Sequence, residues 1–350
     1  MELGIVGLPR AGKTALFGAL TGQGLDAASH GRDKHTAAIK VPDPRIDRLS
    51  EIFKPRKTTY AEVVFVDPGA EPGDAAEYRV LTETLAGALR NVDALVHVVR
   101  AFSDPSVPRA QNSKTPLEDA RGLEEELIMR DLGLIEKRLE RLRKERGKPE
   151  NAAEQALLER AQAQLDAAHP LRDLEWSEDQ MGRLRGFQFL SLKQVLVVLN
   201  VGEEALGGPP VADAAGLPDA IALCAKIERE IAELAVEEQR EFLLQLGIER
   251  PARDVFLRAA YRLLHLVSFF TVGEDEVRAW PVRRGSTALV AAGKIHTDIA
   301  RGFIRAEVIH YDDLVRCGSM SAAKTQGLLR LEGKEYGMRD GDIAHFRFSV

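Results

Sequence analysis

The sequence predicts an α/β fold built around a doubly wound, mostly parallel β-sheet. Within the first 102 residues, short apolar segments alternate with helical ones, which is the pattern of strand–helix–strand units. A later segment, QVLVVLN at 194–200, is almost entirely apolar, as a parallel strand covered on both faces requires. A glycine-rich loop directly after the first strand completes the pattern, because ligands of such sheets bind at the carboxyl ends of strands.

The predicted elements follow one another in the order that this fold needs. Apolar segments predict strands, and segments with helical periodicity predict helices. The predicted strands are 2–7, 37–41, 60–67, 94–102, 194–200 and 220–225, and the predicted helices between the first four strands are 13–21, 45–53 and 75–90. We assign these elements, with the mainly helical segment 227–266, to a first domain of residues 1–120 and 190–266.

Composition limits the function classes. A length of 350 residues predicts two or three domains, and a net charge of −6 does not support a strongly basic protein. The two cysteines, Cys224 and Cys317, are far apart and match no metal-binding spacing, so we expect reduced thiols in a cytoplasmic protein. We find no signal peptide and no apolar run that approaches the length of a membrane span, so we expect no membrane partner.

The glycine-rich loop reads GLPRAGKT at 7–14 and matches the phosphate-binding motif G-x-x-x-x-G-K-[ST]. In this motif backbone N–H groups surround an anion, the lysine reaches the β- and γ-phosphates, and the hydroxyl ligates Mg²⁺. A chance glycine-rich turn is the alternative, which a strand before the loop and a helix after it disfavour. The predicted nucleotide contacts here are Pro9, Arg10, Ala11, Gly12, Lys13, Thr14 and Ala15, with Lys13 also catalytic and Thr14 also a metal ligand.

Asp67 ends the apolar strand AEVVFVD and is the predicted second Mg²⁺ ligand, although a strand-terminal Asp is also a common cap. GTPases usually continue this element as D-x-x-G, followed by a Gln that orients water. Here the run is DPGAE, with Glu71 at the place of the water-orienting residue. Glu71 could accept a hydrogen bond from the attacking water, or its charge could repel the γ-phosphate, and both alternatives stay open.

Two later loops concern the choice of base. Guanine-specific proteins carry N-K-x-D after the fifth strand of this fold, whereas this chain has Asn200, Val201, Gly202 and Glu203. A Glu cannot make the short bidentate contact of the Asp without backbone movement, so we expect weak guanine specificity. After the sixth strand, CAKIE at 224–228 is similar to the S-A-K loop that lies along the base. The predicted base-side contacts are Asn200, Val201, Glu203, Cys224, Ala225 and Lys226.

The segment 121–189 predicts a helical insertion between two strands of the sheet. Apolar residues recur at steps of four and three, as in a heptad seam, and a short turn at 147–151 separates two helices. The seam residues are Ile128, Leu132, Ile135, Leu139 and Leu142 on the first helix and Leu158, Ala161, Leu165 and Ala168 on the second. We interpret them as an antiparallel coiled-coil arm, with two ordinary packing helices as the alternative.

The segment 267–350 predicts a small α+β domain of short strands with one or two helices. Basic residues gather in it and are interleaved with Trp280 and Phe303, which suits phosphate contact and base stacking on RNA. These residues are Arg278, Arg283, Arg284, Lys294, His296, Arg301 and Arg305. Acidic residues lie among them, so a solvated face of mixed charge is the alternative reading.

Together these motifs resemble the YchF/Obg-like ATPase family, a branch of the Obg-related P-loop GTPases. The matching segments are 7–21, 41–49, 200–203, 224–228, 269–280, 291–309 and 331–348. The resemblance implies a G-type P-loop domain, the coiled-coil insertion and a closing TGS domain of β-grasp shape. It also implies Mg²⁺-dependent binding and slow hydrolysis of ATP, weaker binding of GTP, and association with ribosomes or RNA through the TGS-like domain and the arm. His97 matches a family histidine implicated in hydrolysis, with a buried strand histidine as its alternative.

Departures from the family pattern concern turnover more than binding. Arg10 stands where the family carries an Asn that helps to hold a monovalent cation, so we hypothesise that its guanidinium replaces that cation. The family's N-Y-P-F-x-T segment is absent in that form, and Thr36 is only a weak candidate for a switch threonine. Two alternatives therefore remain: a divergent nucleotide- or RNA-binding module with little or no hydrolysis, and a GTPase with relaxed base specificity. We expect a monomer.

Overall fold

The structure is a computed structural model that describes residues 1–22, 35–69, 81–110, 113–144, 149–206, 211–246, 248 and 250–349. The chain divides into two compact units. The first comprises Met1–Ala37 and Val64–Phe256, and the second comprises Ala38–Val63 and Leu257–Val350. The segment 38–63 therefore belongs to the second unit, whereas the sequence placed it in the first domain.

Strands and helices are numbered along the chain. The strands in the described residues are β1 (Glu2–Val6), β2 (His35–Lys40), β3 (Lys57–Thr59), β4 (Glu62–Asp67), β5 (Ala94–Ala101), β6 (Gln194–Val201), β7 (Ile221–Leu223), β8 (Leu266–Thr271), β9 (Glu276–Arg283), β10 (Phe303–His310), β11 (Arg330–Glu332) and β12 (Asp342–Phe348). The α-helices in the same residues are α1 (Lys13–Thr21), α2 (Pro44–Phe53), α3 (Glu83–Leu89), α4 (Pro116–Lys144), α5 (Pro149–Asp166), α6 (Glu178–Leu184), α7 (Val211–Ala214), α8 (Ala225–Glu233), α9 (Val236–Gln245), α10 (Ala252–Leu263), α11 (Ala288–Ile295), α12 (Thr297–Arg301), α13 (Tyr311–Cys317) and α14 (Met320–Thr325).

The first sheet has the order β2-β4-β1-β5-β6-β7 among the described strands. Strand β1 pairs in parallel with β4 and β5, and the parallel pairing continues from β5 to β6 and from β6 to β7. The central strand β5, ALVHVVRA, is buried at every position but its last, as expected for a strand covered on both faces. The predicted doubly wound α/β sheet is confirmed, and it brings the carboxyl ends of these strands to one edge.

Helix α3 begins later than the sequence predicted. The expected helix was 75–90, but residues 81–82 are not helical, and Thr82 is the N-cap whose side chain accepts a hydrogen bond from the Leu85 N–H. A threonine in this position satisfies a backbone donor that the first turn leaves unpaired, so it favours a helix start here. Residues 75–80 of the predicted helix lie outside the described residues.

The helical insertion follows the predicted seam. Helices α4 and α5 share a buried apolar core, to which Ile135, Leu139 and Leu158 contribute. The ion pair between Arg138 and Glu154, at 2.7 Å, links the same two helices and lowers the pKa of the Glu154 carboxyl. Helix α4 begins at Pro116, five residues before the predicted insertion 121–189. Ala168 lies beyond the end of α5 with a φ of 57°, so it is not a helical seam position.

The second unit contains a mixed sheet of order β11-β10-β12-β8-β9-β3 among the described strands. Helix α11 packs on it over a core that includes Phe269, Val308 and Phe346. The sequence predicted one or two helices after residue 267, but the described residues of this segment form four short ones, α11 to α14. Each of them begins at a residue whose side chain caps the first turn: Thr287, His296, His310 and Ser319.

Two contacts explain why the segment 38–63 belongs to the second unit. Strand β3, which the sequence did not predict, pairs in parallel with β9 through Lys57 and Glu276. Arg45 lies 2.8 Å from carboxylate oxygens of both Asp43 and Asp340, and its guanidinium stacks 5.2 Å from the centre of the Phe270 ring. Apart from Asp43, these partners are more than 200 residues from the residues they contact, which is why local patterns did not indicate them.

No helix in the described part of the chain is both long and apolar enough to cross a lipid bilayer. Within that same part, Cys224 and Cys317 are free thiols, as the sequence predicted.

Candidate nucleotide-binding site

A cleft of about 1180 Å³ lies in the first unit at the carboxyl ends of the sheet strands. The residues that line it come from five loops, each of which follows a strand. They are Pro9, Arg10, Gly12, Lys13, Thr14 and Ala15 after β1, Asp67 and Gly69 at the end of β4, Phe102, Ser103, Asp104 and Val107 after β5, Asn200 and Val201 at the end of β6 with Gly202, Glu203 and Glu204 after it, and Cys224, Ala225, Lys226 and Arg229 after β7.

The loop after β1 needs its two motif glycines. Gly7 has a φ of 151° and Gly12 a φ of 98°, which L-residues rarely adopt. A Cβ atom on Gly7 would lie 2.3 Å from the carbonyl oxygen of Val98, and one on Gly12 would lie 2.1 Å from Nδ2 of Asn200. Gly12 is also the N-cap of α1, so the helix begins at Lys13 and its N-terminus faces the cleft. This is the arrangement that favours phosphate.

Arg10 also has a left-handed backbone, with a φ of 63°. This conformation costs a branched or long L-residue free energy that Asn and Gly largely avoid. The Asn found at this place in the family pattern therefore suits the loop better than Arg10 does. The Arg10 side chain is exposed and lines the cleft.

Lys13 is held inside the loop. Its Nζ donates hydrogen bonds to the carbonyl oxygens of Gly7, at 2.7 Å, and Leu8, at 3.0 Å. Burial lowers the pKa of Lys13 to about 8, and the negative charge of Asp67 offsets part of this effect. An anion in the cleft would oppose the shift further, because it stabilises the charged amine.

Asp67 and Thr14 fit a magnesium site. Both line the cleft, and Asp67 is buried with its Oδ1 accepting a hydrogen bond from the Gly69 N–H at 3.1 Å. Mg²⁺ prefers hard oxygen ligands and completes its octahedron with water and substrate phosphates. A carboxylate and a hydroxyl beside a phosphate-binding loop are therefore a suitable donor set.

Asn200 connects the phosphate loop to the loop after β7. Its Nδ2 donates to the carbonyl oxygen of Ala11 at 3.0 Å, and its Oδ1 accepts from the N–H of Ala225 at 3.1 Å. The side chain is buried, so both bonds form away from water, where an unpaired partner would be costly. Asn200 therefore sets the spacing between the two loops.

Glu203 and Lys226 form an ion pair on the cleft wall. Nζ of Lys226 donates to Oε1 of Glu203 at 2.6 Å, and this contact raises the pKa of Lys226. Beside them, Cys224 is the N-cap residue of α8, and burial raises the pKa of its thiol. A thiol with a raised pKa remains protonated at neutral pH and is a poor nucleophile.

His97 does not line the cleft. It lies on β5 in register with Val6 of β1, and it is almost completely buried. Burial, reinforced by the charge of Lys13, lowers the pKa of His97 to about 3. Its Nε2 has no hydrogen-bond partner in the described residues. His97 is therefore a neutral imidazole close enough to Lys13 to sense its charge.

Most residues predicted for the site come together in the cleft. Among the described residues, Ala11, His97 and the weak candidate Thr36 do not line it. Ala11 is buried and contributes its carbonyl oxygen to Asn200, while His97 lies within the sheet. Glu71 lies outside the described residues. Thr36, the weak switch candidate, is exposed on β2 and is not a lining residue.

The sequence prediction missed the loop after β5. Phe102, Ser103, Asp104 and Val107 line the cleft, and the Arg100 guanidinium stacks 4.1 Å from the centre of the Phe102 ring. No phosphate or base motif marks this loop. The rule that ligands lie at the carboxyl ends of parallel strands could have found it, because β5 is the neighbour of β1.

Comparison with known proteins decides the family. The chain is 39% identical to the ribosome-binding ATPase YchF of Bacillus subtilis over 100% of both chains. It is 38% identical to the ribosome-binding ATPase YchF of Escherichia coli O157:H7, covering 100% of this chain and 99% of the relative. The chain belongs to the YchF family.

Two further matches agree with this family assignment. The sequence family YchF-GTPase_C, described as a protein of unknown function (DUF933), matches residues 266–349. The solved structure of the Schizosaccharomyces pombe YchF GTPase is 29% identical, with a TM-score of 0.86 over 99% of this chain and 97% of that one. The predicted combination of an α/β P-loop sheet, a helical insertion and a C-terminal α+β domain is therefore confirmed for this YchF-family chain.

Proposed function

We propose that this chain is an ATP-binding P-loop NTPase that hydrolyses ATP slowly and associates with ribosomes. The observation that carries the proposal is the cleft, which combines a complete phosphate loop with a base-side wall that has Glu203 and lacks the guanine-specific Lys and Asp. The YchF relatives in Bacillus subtilis and Escherichia coli are named ribosome-binding ATPases, which supports both the nucleotide and the partner.

The residues of the loop have separate roles in this proposal. The backbone of 9–15 and the α1 N-terminus bind the phosphates, and Lys13 pairs with the β- and γ-phosphate oxygens. Thr14 and Asp67 hold Mg²⁺, which when bound neutralises charge that develops on the phosphates. Asn200, Val201, Glu203, Cys224, Ala225 and Lys226 form the base side of the site. The catalytic roles of Glu71 and His97 are further parts of the proposal.

A non-hydrolysing binding module is the second candidate, and the environment of His97 favours it. A neutral, buried imidazole that does not line the cleft cannot reach an attacking water in this arrangement. The proposed hydrolysis then needs either a rearrangement that brings His97 to the cleft or another residue that orients water. The altered run DPGAE, which replaces D-x-x-G, is consistent with slow turnover.

Partner contact is proposed for the second unit and the arm. Six of the seven predicted RNA-contact residues are exposed, and Arg278 is partly buried against Trp280, 4.0 Å from its ring centre. Trp280 also stacks on Phe269 and donates to Thr271, so it is already engaged within the unit. Phosphate contact by the exposed cations is therefore better supported than base stacking by Trp280. We also propose that the chain is a monomer.

The decisive experiment is calorimetric titration of the purified chain with ATP and with GTP, both with Mg²⁺. We expect tight ATP binding and weak GTP binding. A hydrolysis assay then compares the wild type with Lys13→Ala, which should abolish turnover. Equal or GTP-preferring binding would contradict the ATP assignment. Equal residual hydrolysis by the wild type and Lys13→Ala would favour the non-hydrolysing module.

A further inference from the structure

The ion pair between Glu203 and Lys226 is an exposed polar contact between the two base-side loops, in addition to the buried bond between Asn200 and Ala225. Glu203 begins a short 3₁₀ turn after β6, and Lys226 is the second residue of α8 after β7. Both side chains are more than half exposed and line the cleft, and their charged atoms are 2.6 Å apart. An exposed pair of this kind contributes little to the free energy of folding, so its effect on nucleotide binding is the property to consider.

The place of the pair in the cleft relates it to the base. Lys13 and Thr14 mark the phosphate end, and Asn200 sets the distance from that end to the loop after β7. Glu203 follows Asn200 by three residues, Lys226 directly follows Ala225, to which Asn200 is bonded, and both line the cleft wall together with Val201, Gly202 and Cys224. A nucleotide with its phosphates on the loop would direct its base toward this wall.

Guanine and adenine carry different hydrogen-bond donors and acceptors on the edge that a carboxylate can contact. Guanine presents two adjacent donors, the N1–H and the N2 amino group, whereas adenine presents one donor, the N6 amino group, beside the acceptor N1. A carboxylate with two free oxygens accepts both guanine donors, so it favours guanine. A carboxylate with one oxygen already bonded to an ammonium group offers one acceptor and less negative charge.

We propose that Lys226 is a specificity-determining positioning residue, which holds Oε1 of Glu203 and thereby prevents this carboxylate from accepting both donors of guanine. This inference rests on the proposed function, since it explains how an ATP-binding site of this chain excludes GTP. Glu203 then offers one oxygen, which suits the single amino donor of adenine. Without Lys226 the loop after β6 is no longer tied to α8 by this pair, so it is free to make the backbone movement that a Glu at this place needs to turn its carboxylate toward guanine.

The test compares ATP, GTP and ITP binding by calorimetry, with Mg²⁺, for the wild type and Lys226→Ala. We expect the ratio of ATP to GTP affinity to fall about two- to fivefold in Lys226→Ala, because the penalty on GTP cannot exceed the free energy of breaking one exposed ion pair. ITP has the N1–H but lacks the N2 amino group, so its affinity should rise less than that of GTP. Lys226→Arg should keep the wild-type ratio, because it retains the ion pair.

Two controls separate positioning from general effects. The pair Lys144 and Glu140 on α4 is similarly exposed and 2.7 Å apart, so Lys144→Ala should leave all three affinities unchanged. In the double variant Glu203→Gln, Lys226→Ala, the gain for GTP should disappear, because the carboxylate itself is gone.

The outcomes distinguish this inference from the proposed function. A wild type that binds ATP and GTP equally overturns the proposed function and the inference with it. A wild type that prefers ATP, with a Lys226→Ala variant of unchanged preference, overturns the inference alone. An equal loss of ATP and GTP affinity in Lys226→Ala also overturns it, because Lys226 would then contact a part that both nucleotides share.

Discussion

Lys13 shows how a single residue of the loop links binding to pH. Its amine is buried against the carbonyl oxygens of Gly7 and Leu8, and its pKa is lowered to about 8. Phosphate oxygens would stabilise the charged form and raise this pKa again. Nucleotide binding above pH 8 must therefore be accompanied by proton uptake.

We expect the uptake of about one proton per ATP at pH 9 and close to none at pH 7, with affinity that falls as the pH rises above 8, by up to about tenfold per pH unit. Calorimetry in buffers of different ionisation enthalpy measures this uptake directly. Lys13→Arg is the matched control, since a guanidinium stays protonated at both pH values. Uptake at pH 9 that persists in Lys13→Arg would assign the proton to another group.

Arg10 is the residue at which this chain differs most clearly from the family's phosphate loop. Its left-handed backbone would be more easily adopted by Asn, so Arg10 takes this conformation at a local free-energy cost. That cost is consistent with a role for the side chain in the cleft. The replacement of a monovalent cation by the guanidinium stays a prediction, which a K⁺ requirement in the hydrolysis assay would contradict.

At the scale of elements, the site depends on how three of its five loops are linked at one edge of the sheet. Parallel pairing brings the ends of β1, β6 and β7 to that edge, and Asn200 then bonds to the loop on either side of it. Both bonds are to backbone groups, so they constrain where the loops lie. The buried amide of Asn200 therefore links the phosphate-binding loop to the loop after β7 on the base side.

We expect Asn200→Ala to lower the free energy of unfolding by about 1–3 kcal/mol, because it leaves the buried N–H of Ala225 and the carbonyl of Ala11 unpaired. ATP affinity should fall as well, since the spacing of the two loops is no longer fixed. Urea unfolding and calorimetric titration measure the two effects. Asn91→Ala, at an exposed position, is the control that should change neither quantity. An Asn200→Ala variant of wild-type stability would contradict this role.

At the scale of the whole molecule, the distribution of charged residues is more informative than the net charge. The net charge is −6, yet the second unit presents exposed cations at the ends of its strands and helices. Contacts between such cations and phosphates release counterions, so the association constant falls steeply with salt. Acidic residues on the same unit, including Glu274 and Asp275, make the measured salt dependence the relevant test.

We expect binding to purified ribosomes to weaken steeply between 50 and 200 mM salt, which are conditions over which phosphate contacts lose affinity. The double variant Arg284→Ala, Lys294→Ala should reduce the slope of log affinity against log salt by about 2, one for each lost contact. Arg48→Ala, an exposed arginine of the same unit that pairs with Glu51, should leave the slope unchanged. Co-sedimentation at a series of salt concentrations measures the slope, and a flat response would remove the RNA-contact hypothesis.

The sequence by itself determined the features that local spacing encodes. The phosphate loop, the buried parallel strands and the heptad seam of the insertion were all readable because each depends on residues within a few turns or one short loop. The same holds for the base-side wall, where the absence of the guanine-specific Lys and Asp is visible in the motif. The local features that the sequence misjudged are the starts of α3 and α4, the seam position Ala168, the short strand β3 and the number of short C-terminal helices. Caps such as Thr82 and strands of three residues are weak local signals.

Tertiary structure alone decided which distant residues share a contact. Sequence separations from about 20 to nearly 300 residues occur in the bonds of Asn200, in the ion pair of Glu203 with Lys226 and in the contacts that place segment 38–63 in the second unit. The burial of His97 likewise depends on strands that are distant along the chain. Such contacts form because a sheet brings strand ends together and because buried polar groups must find partners where they lie. Neither cause acts through local spacing, so no motif records the result.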